Sequence, residues 1–286
     1  MITPFASDGS LDLEGAAALA KWLVEQGNDG LVIAGTTGES PTLSHDEQVE
    51  LVGAVVDAVD VPIVAGAGSN DTRAAVELTR RCSDAGAAAI LSVTPYYNRP
   101  SQDGLVEHFR AVVNATDLPV MIYDIPGRAG RKIETQTLLR MADAFANFVA
   151  LKDAAGDVAE TSRFIAAAPE GFEVYSGDDV LTLPFMSVGV VGTIGVATHW
   201  VAGQVADMMR AFFDKNDPEL AAEINRRLLE SYAFAGPGRA DAPNPIPSKA
   251  MMKVLGQPGG DCRLPMGPEP ADLQDHARQI LAGLAK

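Results

Sequence analysis

The sequence predicts an α/β fold, a (β/α)8 barrel of the TIM barrel type followed by a C-terminal three-helix extension, from three observations. Short runs that are apolar throughout alternate with longer alanine-rich helical patterns as far as about residue 215. The runs do not alternate polar with apolar residues, and strands of that kind are covered on both faces, as in a parallel sheet. After Asp217 only helical patterns remain.

In chain order, Ile2-Thr3 stands as the remnant of one strand, and a helix beginning near Asp12 closes at Gly27, in the position where a left-handed glycine ends a helix. The apolar runs are Asp29 to Ala34, Val61 to Ala65, Ala88 to Val93, Leu118 to Tyr123, Phe148 to Lys152, Phe172 to Tyr175 and Val190 to Ile194. Ser44-His45-Asp46-Glu47 reads as a capping box ahead of a helix to about Val59, and Asn70 is placed to cap the next helix, which ends at Gly86. With Ile2-Thr3 the runs make eight strands and a barrel over residues 1–215. A doubly wound open sheet is the alternative, but no Gly-x-Gly-x-x-Gly turn follows the first run. Residues 216–286 carry the helices Pro218 to Phe234, Ile246 to Leu255 and Pro270 to Ala285, separated by the Gly/Pro-rich stretches Gly236 to Pro243 and Gly256 to Pro268. A role in packing or assembly is expected of them.

Composition narrows the function. Hydrophobic residues make up 47% of the 286 residues and charged ones 21%, which is a globular balance. No apolar run approaches the roughly 18 residues that cross a bilayer, and Met1-Ile2-Thr3-Pro4-Phe5 lacks the basic and apolar regions of a signal peptide, so a cytoplasmic protein is expected. A formal charge of −16 argues against nucleic acid and anionic membranes, which need a basic footprint. Cys82 and Cys262 fit no metal or redox spacing, and His45, His108, His199 and His276 form no helix-face pair.

In such a barrel the chemistry sits where the C-terminal ends of the strands meet. The residues there are Gly35-Thr36-Thr37-Gly38-Glu39-Ser40, Thr94-Pro95-Tyr96-Tyr97-Asn98-Arg99-Pro100, Tyr123-Asp124-Ile125-Pro126-Gly127-Arg128, Lys152, Ser176-Gly177-Asp178-Asp179 and Ile194-Gly195. A lysine that closes an apolar strand is an amine at the border of a low-dielectric interior, and such amines can be partly neutral and nucleophilic near pH 7. Alone, Lys152 is equally a lysine whose stem lies along the strand with its head in water. Three of the 5 tyrosines fall in these loops, where a nearby cation would favour proton transfer through the phenol, though a tyrosine at a strand end also packs with a wet tip. Gly35 to Gly38 offers successive N–H groups and two hydroxyls to a small carboxylate, or is an ordinary turn. Arg128 is a two-pronged carboxylate clamp or a solvated arginine. Asp153, Asp178 and Asp179 read as loop turns and caps more readily than as a metal cluster, since no histidine or cysteine accompanies them.

The motifs Gly-Thr-Thr-Gly-Glu-Ser, Pro-Tyr-Tyr-Asn-Arg-Pro, Tyr-Asp-Ile-Pro-Gly-Arg, Leu-Lys-Asp-Ala and Ser-Gly-Asp-Asp, in this order, resemble the dihydrodipicolinate synthase family, one of the pyruvate-dependent lysine aldolases that include N-acetylneuraminate lyase. The resemblance runs from Thr3-Pro4-Phe5 to Arg263-Leu264-Pro265. It implies a Schiff-base lyase of the diaminopimelate route to lysine that condenses pyruvate with L-aspartate 4-semialdehyde, with no metal or organic cofactor. Lys152 would form the imine, Thr36 and Thr37 would hold the pyruvate carboxylate, and Tyr123 would handle protons in a relay with Thr36 and Tyr97. Arg128 would bind the second substrate, and Gly177 and Ile194 would add main-chain contacts. The family's homotetramer, a dimer of dimers, is expected, with Tyr97 reaching a neighbouring subunit's site. Other pyruvate aldolases, acting on sialic acid or keto-deoxy sugars, lack the Tyr96-Tyr97 pair and Arg128; a non-catalytic keto-acid-binding barrel would lack Lys152 or Tyr123. Three departures stand out: few residues ahead of Thr3, Gly195 in place of a serine, and Ala74 where lysine-inhibited members carry glutamate beside Ser40, His45, Asn70 and Tyr96. Feedback by lysine is therefore not expected.

Overall fold

A computed structural model describes residues 1–236 and 241–285. The chain forms two compact units, Met1–Val61 with Gly195–Lys286, and Pro62–Ile194. The first unit begins with α1 (Leu13–Glu25), β1 (Leu31–Ile33) and α2 (His45–Val56). Asp12 caps α1 by accepting from the Gly15 N–H at 2.8 Å, and Gly27 takes the left-handed φ of 101° that ends it. Both halves of the expected capping box are present: Glu47 N–H donates to Ser44 Oγ, and Ser44 N–H donates to the Glu47 carboxylate. The helix ends at Val56 rather than Val59.

Ile2-Thr3 is not a strand. Its polar groups go elsewhere: Ile2 N–H donates to His199 Nε2 at 3.0 Å and Thr3 Oγ1 donates to the Gly38 carbonyl at 2.6 Å, while the Met1 amine donates to the Val32 carbonyl of β1 at 2.7 Å. A ladder needs repeated backbone pairing, and the Ile2 N–H is given to a side chain instead. The accepting Nε2 fixes the His199 tautomer, so Nδ1–H donates to the Val196 carbonyl, and burial pushes the ring's pKa down to about 3.

The second unit alternates strand and helix: β2 (Ile63–Gly66), α3 (Thr72–Asp84), β3 (Ala89–Val93), α4 (Gln102–Val113), β4 (Val120–Asp124), α5 (Pro126–Ala129), α6 (Thr135–Ala144), β5 (Phe148–Asp153), α7 (Val158–Ala167), β6 (Glu173–Ser176), α8 (Thr182–Met186) and β7 (Gly192–Thr193). Strands β2 to β7 pair in parallel, each with its sequence neighbour. Every expected run from Val61 onward is thus a strand, within one or two residues at its ends. Register places Val93, Tyr123, Lys152, Tyr175 and Gly192 side by side across five strands. Core helices close on the sheet through apolar faces; Phe164 of α7 meets Phe172, which meets Phe148 of β5, edge to face at 5.4 and 4.9 Å. The cap of α3 differs from expectation. Asp71 accepts from Arg73 N–H, whereas Asn70 turns its amide to the Tyr96 carbonyl at 3.1 Å.

The rest of the first unit is helical: α9 (Thr198–Phe213), α10 (Pro218–Ala235), α11 (Ile246–Val254) and α12 (Leu273–Leu284). The three expected C-terminal helices are present, the last starting at Leu273 rather than Pro270. Of the stretch Gly236 to Pro243, residues 237–240 lie outside the described residues. Among the described residues no helix is long and apolar enough to cross a membrane.

Candidate active site

The end of β5 carries the strongest chemistry. Lys152 is the ladder partner of Tyr123 on β4, and the shared register turns both side chains to one face, with Nζ 4.3 Å from the centroid of the buried Tyr123 ring. An ammonium there gains from the ring's quadrupole but loses its water. Desolvation wins: it pulls the Lys152 pKa down to about 8, against the opposing pull of the Asp179 carboxylate in the loop after β6. Roughly a tenth of the amine is then neutral at pH 7, against about one part in 3,000 for a solvated lysine. Gly177 leaves room for the chain: a Cβ there would lie 3.0 Å from Lys152 Cε and 2.9 Å from Ala154 Cβ.

One residue further along, the pattern turns to the opposite face. Asp124 and Asp153 are again ladder partners, now pointing toward α6 and α7. Asp153 accepts from Thr161 Oγ1 at 2.5 Å and from Ala155 N–H at 2.8 Å. Asp124 accepts from Lys132 Nζ at 3.1 Å and Ile133 N–H at 3.2 Å, and Lys132 also pairs with Glu160 at 3.2 Å. Burial pushes the Asp124 carboxyl up to about 6, with Lys132 pulling it back. These polar groups line a small cavity behind the Tyr123–Lys152 pair. Sequence reasoning missed this layer; its one signal is the aspartate that directly follows both Tyr123 and Lys152.

The other expected residues of this unit are spread around that pair. Arg128 sits in the single turn of α5, not in a loop, and is exposed. Tyr97 is 90% exposed at a left-handed φ of 74°, so it does not approach the buried Tyr123 within its own chain. Gly177 N–H donates to the Asp153 carbonyl and Ile194 N–H to the Ser176 carbonyl, so what either offers a ligand is its own carbonyl. Asp178 serves a turn, accepting from Val180 N–H at 3.0 Å, and Asp153 does likewise.

In the first unit, Thr36 and Thr37 follow β1 and are half-buried. The Gly38 and Glu39 N–H groups close the turn onto the Gly35 and Thr36 carbonyls. Among the described residues neither the Thr36 nor the Thr37 N–H donates to a backbone carbonyl, which leaves both for an anion. The Thr37 hydroxyl accepts from Asn244 Nδ2 at 2.9 Å, a residue that sequence reasoning did not single out.

A family model described as the dihydrodipicolinate synthetase family matches residues 1–284. The 4-hydroxy-tetrahydrodipicolinate synthase of Moorella thermoacetica is 45% identical over 268 residues, covering 93% of this chain and 90% of that protein. The enzyme of that name from Bacillus subtilis is 43% identical over 270 residues, covering 94% and 91%. Among solved structures, a Cyanidioschyzon merolae protein of this kind with lysine bound superposes with a TM-score of 0.96 at 39% identity, covering 100% of this chain and 96% of that one. The dihydrodipicolinate synthase of Aquifex aeolicus gives 0.92 at 35% identity, covering 99% and 95%.

Proposed function

The chain belongs to the dihydrodipicolinate synthetase family, and from that premise we propose that Lys152 is its imine-forming lysine. It is a pyruvate-dependent class I aldolase with the activity of a 4-hydroxy-tetrahydrodipicolinate synthase, serving diaminopimelate and lysine biosynthesis. The observation that carries the assignment of Lys152 is its desolvated amine over the Tyr123 ring.

The neutral amine adds to the keto carbon of pyruvate and water leaves, giving a protonated imine. That cation draws electrons from the adjacent methyl group, so a proton departs and an enamine forms. The enamine carbon bonds to the aldehyde carbon of L-aspartate 4-semialdehyde, and Tyr123 delivers the proton that the new alkoxide takes up. The second substrate's own amino group then attacks the imine carbon, closes the ring and frees Lys152. Thr36 and Thr37 bind the pyruvate carboxylate through their unpaired N–H groups, Arg128 takes the second carboxylate from its exposed turn, and the Gly177 and Ile194 carbonyls face the imine.

The finer architecture is a barrel of the (β/α)8 type over residues 1–215, its eighth position without a paired strand among the described residues, with the helices of 216–286 appended, a reading supported by parallel strands in sequence order and TM-scores of 0.92 to 0.96 to solved relatives. It assembles as a cytoplasmic homotetramer in which Tyr97 enters a neighbour's site to join Tyr123 and Thr36; its 90% exposure in the single chain supports that role. Ala74 on α3 offers no carboxylate to a lysine ammonium, so the rate is expected to be flat across an L-lysine titration. The central test is treatment with pyruvate and borohydride followed by peptide mapping. A reduced adduct on Lys152 is expected, and an intact mass unchanged by the treatment overturns the mechanism.

A further inference from the structure

Two buried charges have no place in the mechanism above. Glu39, within the Gly35-to-Ser40 loop, and Lys249, on α11, form an ion pair at 2.6 Å with side chains each 1% exposed. Lys249 Nζ also donates to the Asp261 carbonyl at 2.9 Å and lies 4.2 Å from the centroid of the Phe5 ring, on which the Arg263 guanidinium also packs at 4.3 Å. Arg263 N–H donates to the second Glu39 oxygen at 3.0 Å. A buried pair of this kind adds little net stability, because desolvation offsets the attraction, so its value lies in geometry. The geometry here is costly. Glu39 holds a left-handed φ of 56°, which a non-glycine residue keeps only when its surroundings enforce it. That residue turns the chain out of the Thr36-Thr37 corner into the 3-10 turn Ser40–Thr42.

Immediately before α11, Asn244 Nδ2 donates to Thr37 Oγ1 at 2.9 Å. With that lone pair occupied, the Thr37 hydroxyl hydrogen is directed away from Asn244. Thr3 Oγ1 holds the loop from a third side through the Gly38 carbonyl, and a Cβ at Gly38 would stand 3.1 Å from the Met1 carbonyl oxygen, so this corner has no slack.

We propose that the segment from Asn244 to Lys249 is a positioning element for the pyruvate-carboxylate loop: Lys249 acts through Glu39 on the loop's backbone, and Asn244 acts through Thr37 on its hydroxyl. The inference rests on the reading of Thr36 and Thr37 as the pyruvate cradle. It gives part of the C-terminal helical region a task beyond packing, which is to set the affinity for the first substrate without touching it.

The test is the pyruvate concentration dependence of borohydride trapping on the full chain. The variants are Asn244→Ala, Lys249→Met and the double variant Glu39→Gln/Lys249→Met. Losing the Thr37 contact in Asn244→Ala is expected to raise half-saturating pyruvate about tenfold. The pH midpoint of trapping and the KM for the aldehyde substrate are expected to stay in place, a split that general loss of structure would not produce. Asn244→Ala leaves the ion pair intact, so the test survives if Lys249→Met fails to fold; the double variant removes both charges together and avoids a stranded carboxylate. Unchanged pyruvate dependence in Asn244→Ala and in the folded double variant, with the unaltered protein trapping normally, overturns the proposal. No adduct on the unaltered protein overturns the Lys152 reading and this inference with it.

Discussion

The Cε atom of Lys152 lies 3.0 Å from the point that a Cβ on Gly177 would occupy. Since Ala154 Cβ would be 2.9 Å away and the Asp153 carbonyl oxygen 3.2 Å, the new methyl has no empty side to move toward. Overpacking of this kind costs about 1–3 kcal/mol, and the most mobile neighbour is the lysine itself. Gly177→Ala is therefore expected to slow pyruvate adduct formation by about tenfold. Rapid quenching with borohydride measures it, and an unchanged trapping rate would show that the amine is not confined by this glycine.

The amine's pKa of about 8 sets a pH dependence. Imine formation needs the neutral form, so at subsaturating pyruvate the trapping rate is expected to rise about tenfold per pH unit below pH 8 and to level off above it. Asp179 favours the charged amine, so Asp179→Asn is expected to move the midpoint to lower pH. A midpoint that moves up would remove Asp179 from the electrostatics of the site.

Much of this was legible because strand ends announce themselves. An apolar run that stops on Lys152, and another that stops on Tyr123, need only the period of a β-strand to be placed at one edge, and the capping box at Ser44 is a local bond pattern. What stayed hidden depends on contacts that sequence distance conceals. Asn244 and Thr37 are separated by 207 positions. Asn70 and Asp71 are both competent caps; Asp71 takes the role by accepting from Arg73 N–H, while the Asn70 side chain is oriented by its Nδ2 donating to the Tyr96 carbonyl, a contact that lies 26 positions away. The layer of Asp124, Lys132 and Glu160 exists only once α6 and α7 lie over the strand ends.

That layer also carries a stability expectation. Asp153, next to Lys152 in the strand, is buried and has its Oδ2 satisfied by the Thr161 hydroxyl at 2.5 Å. Thr161→Val keeps the side chain's shape and removes the donor, so the cost is that of an underbonded buried carboxylate, about 1–3 kcal/mol. Thermal unfolding checks it, with Thr161→Ser as the companion that retains the hydroxyl. Equal destabilisation by both variants would assign the effect to the lost methyl group instead.

The last expectation concerns acid. Arg263 grips both oxygens of Glu47, at 2.5 and 2.9 Å, and also donates from Nη1 to the Thr42 carbonyl, tying the residues beyond α11 to the capping box of α2. The hydrogen bonds from Arg263 hold the Glu47 carboxyl down at about 2, against its ordinary 4.5. A folded-state pKa below the unfolded one means stability that is fully present above about pH 4.5 and is lost as pH falls toward 2. With side chains 26% and 21% exposed, the pair is screened but not solvated, and a contribution of about 1–3 kcal/mol is expected. Glu47→Gln should therefore lower the urea midpoint at pH 7 and make little difference at pH 2, because the native carboxyl there is already giving up its charge. A variant that loses the same stability at both pH values would show that Glu47 works through its backbone bond to Ser44 and its packing, and that the ion pair with Arg263 adds nothing.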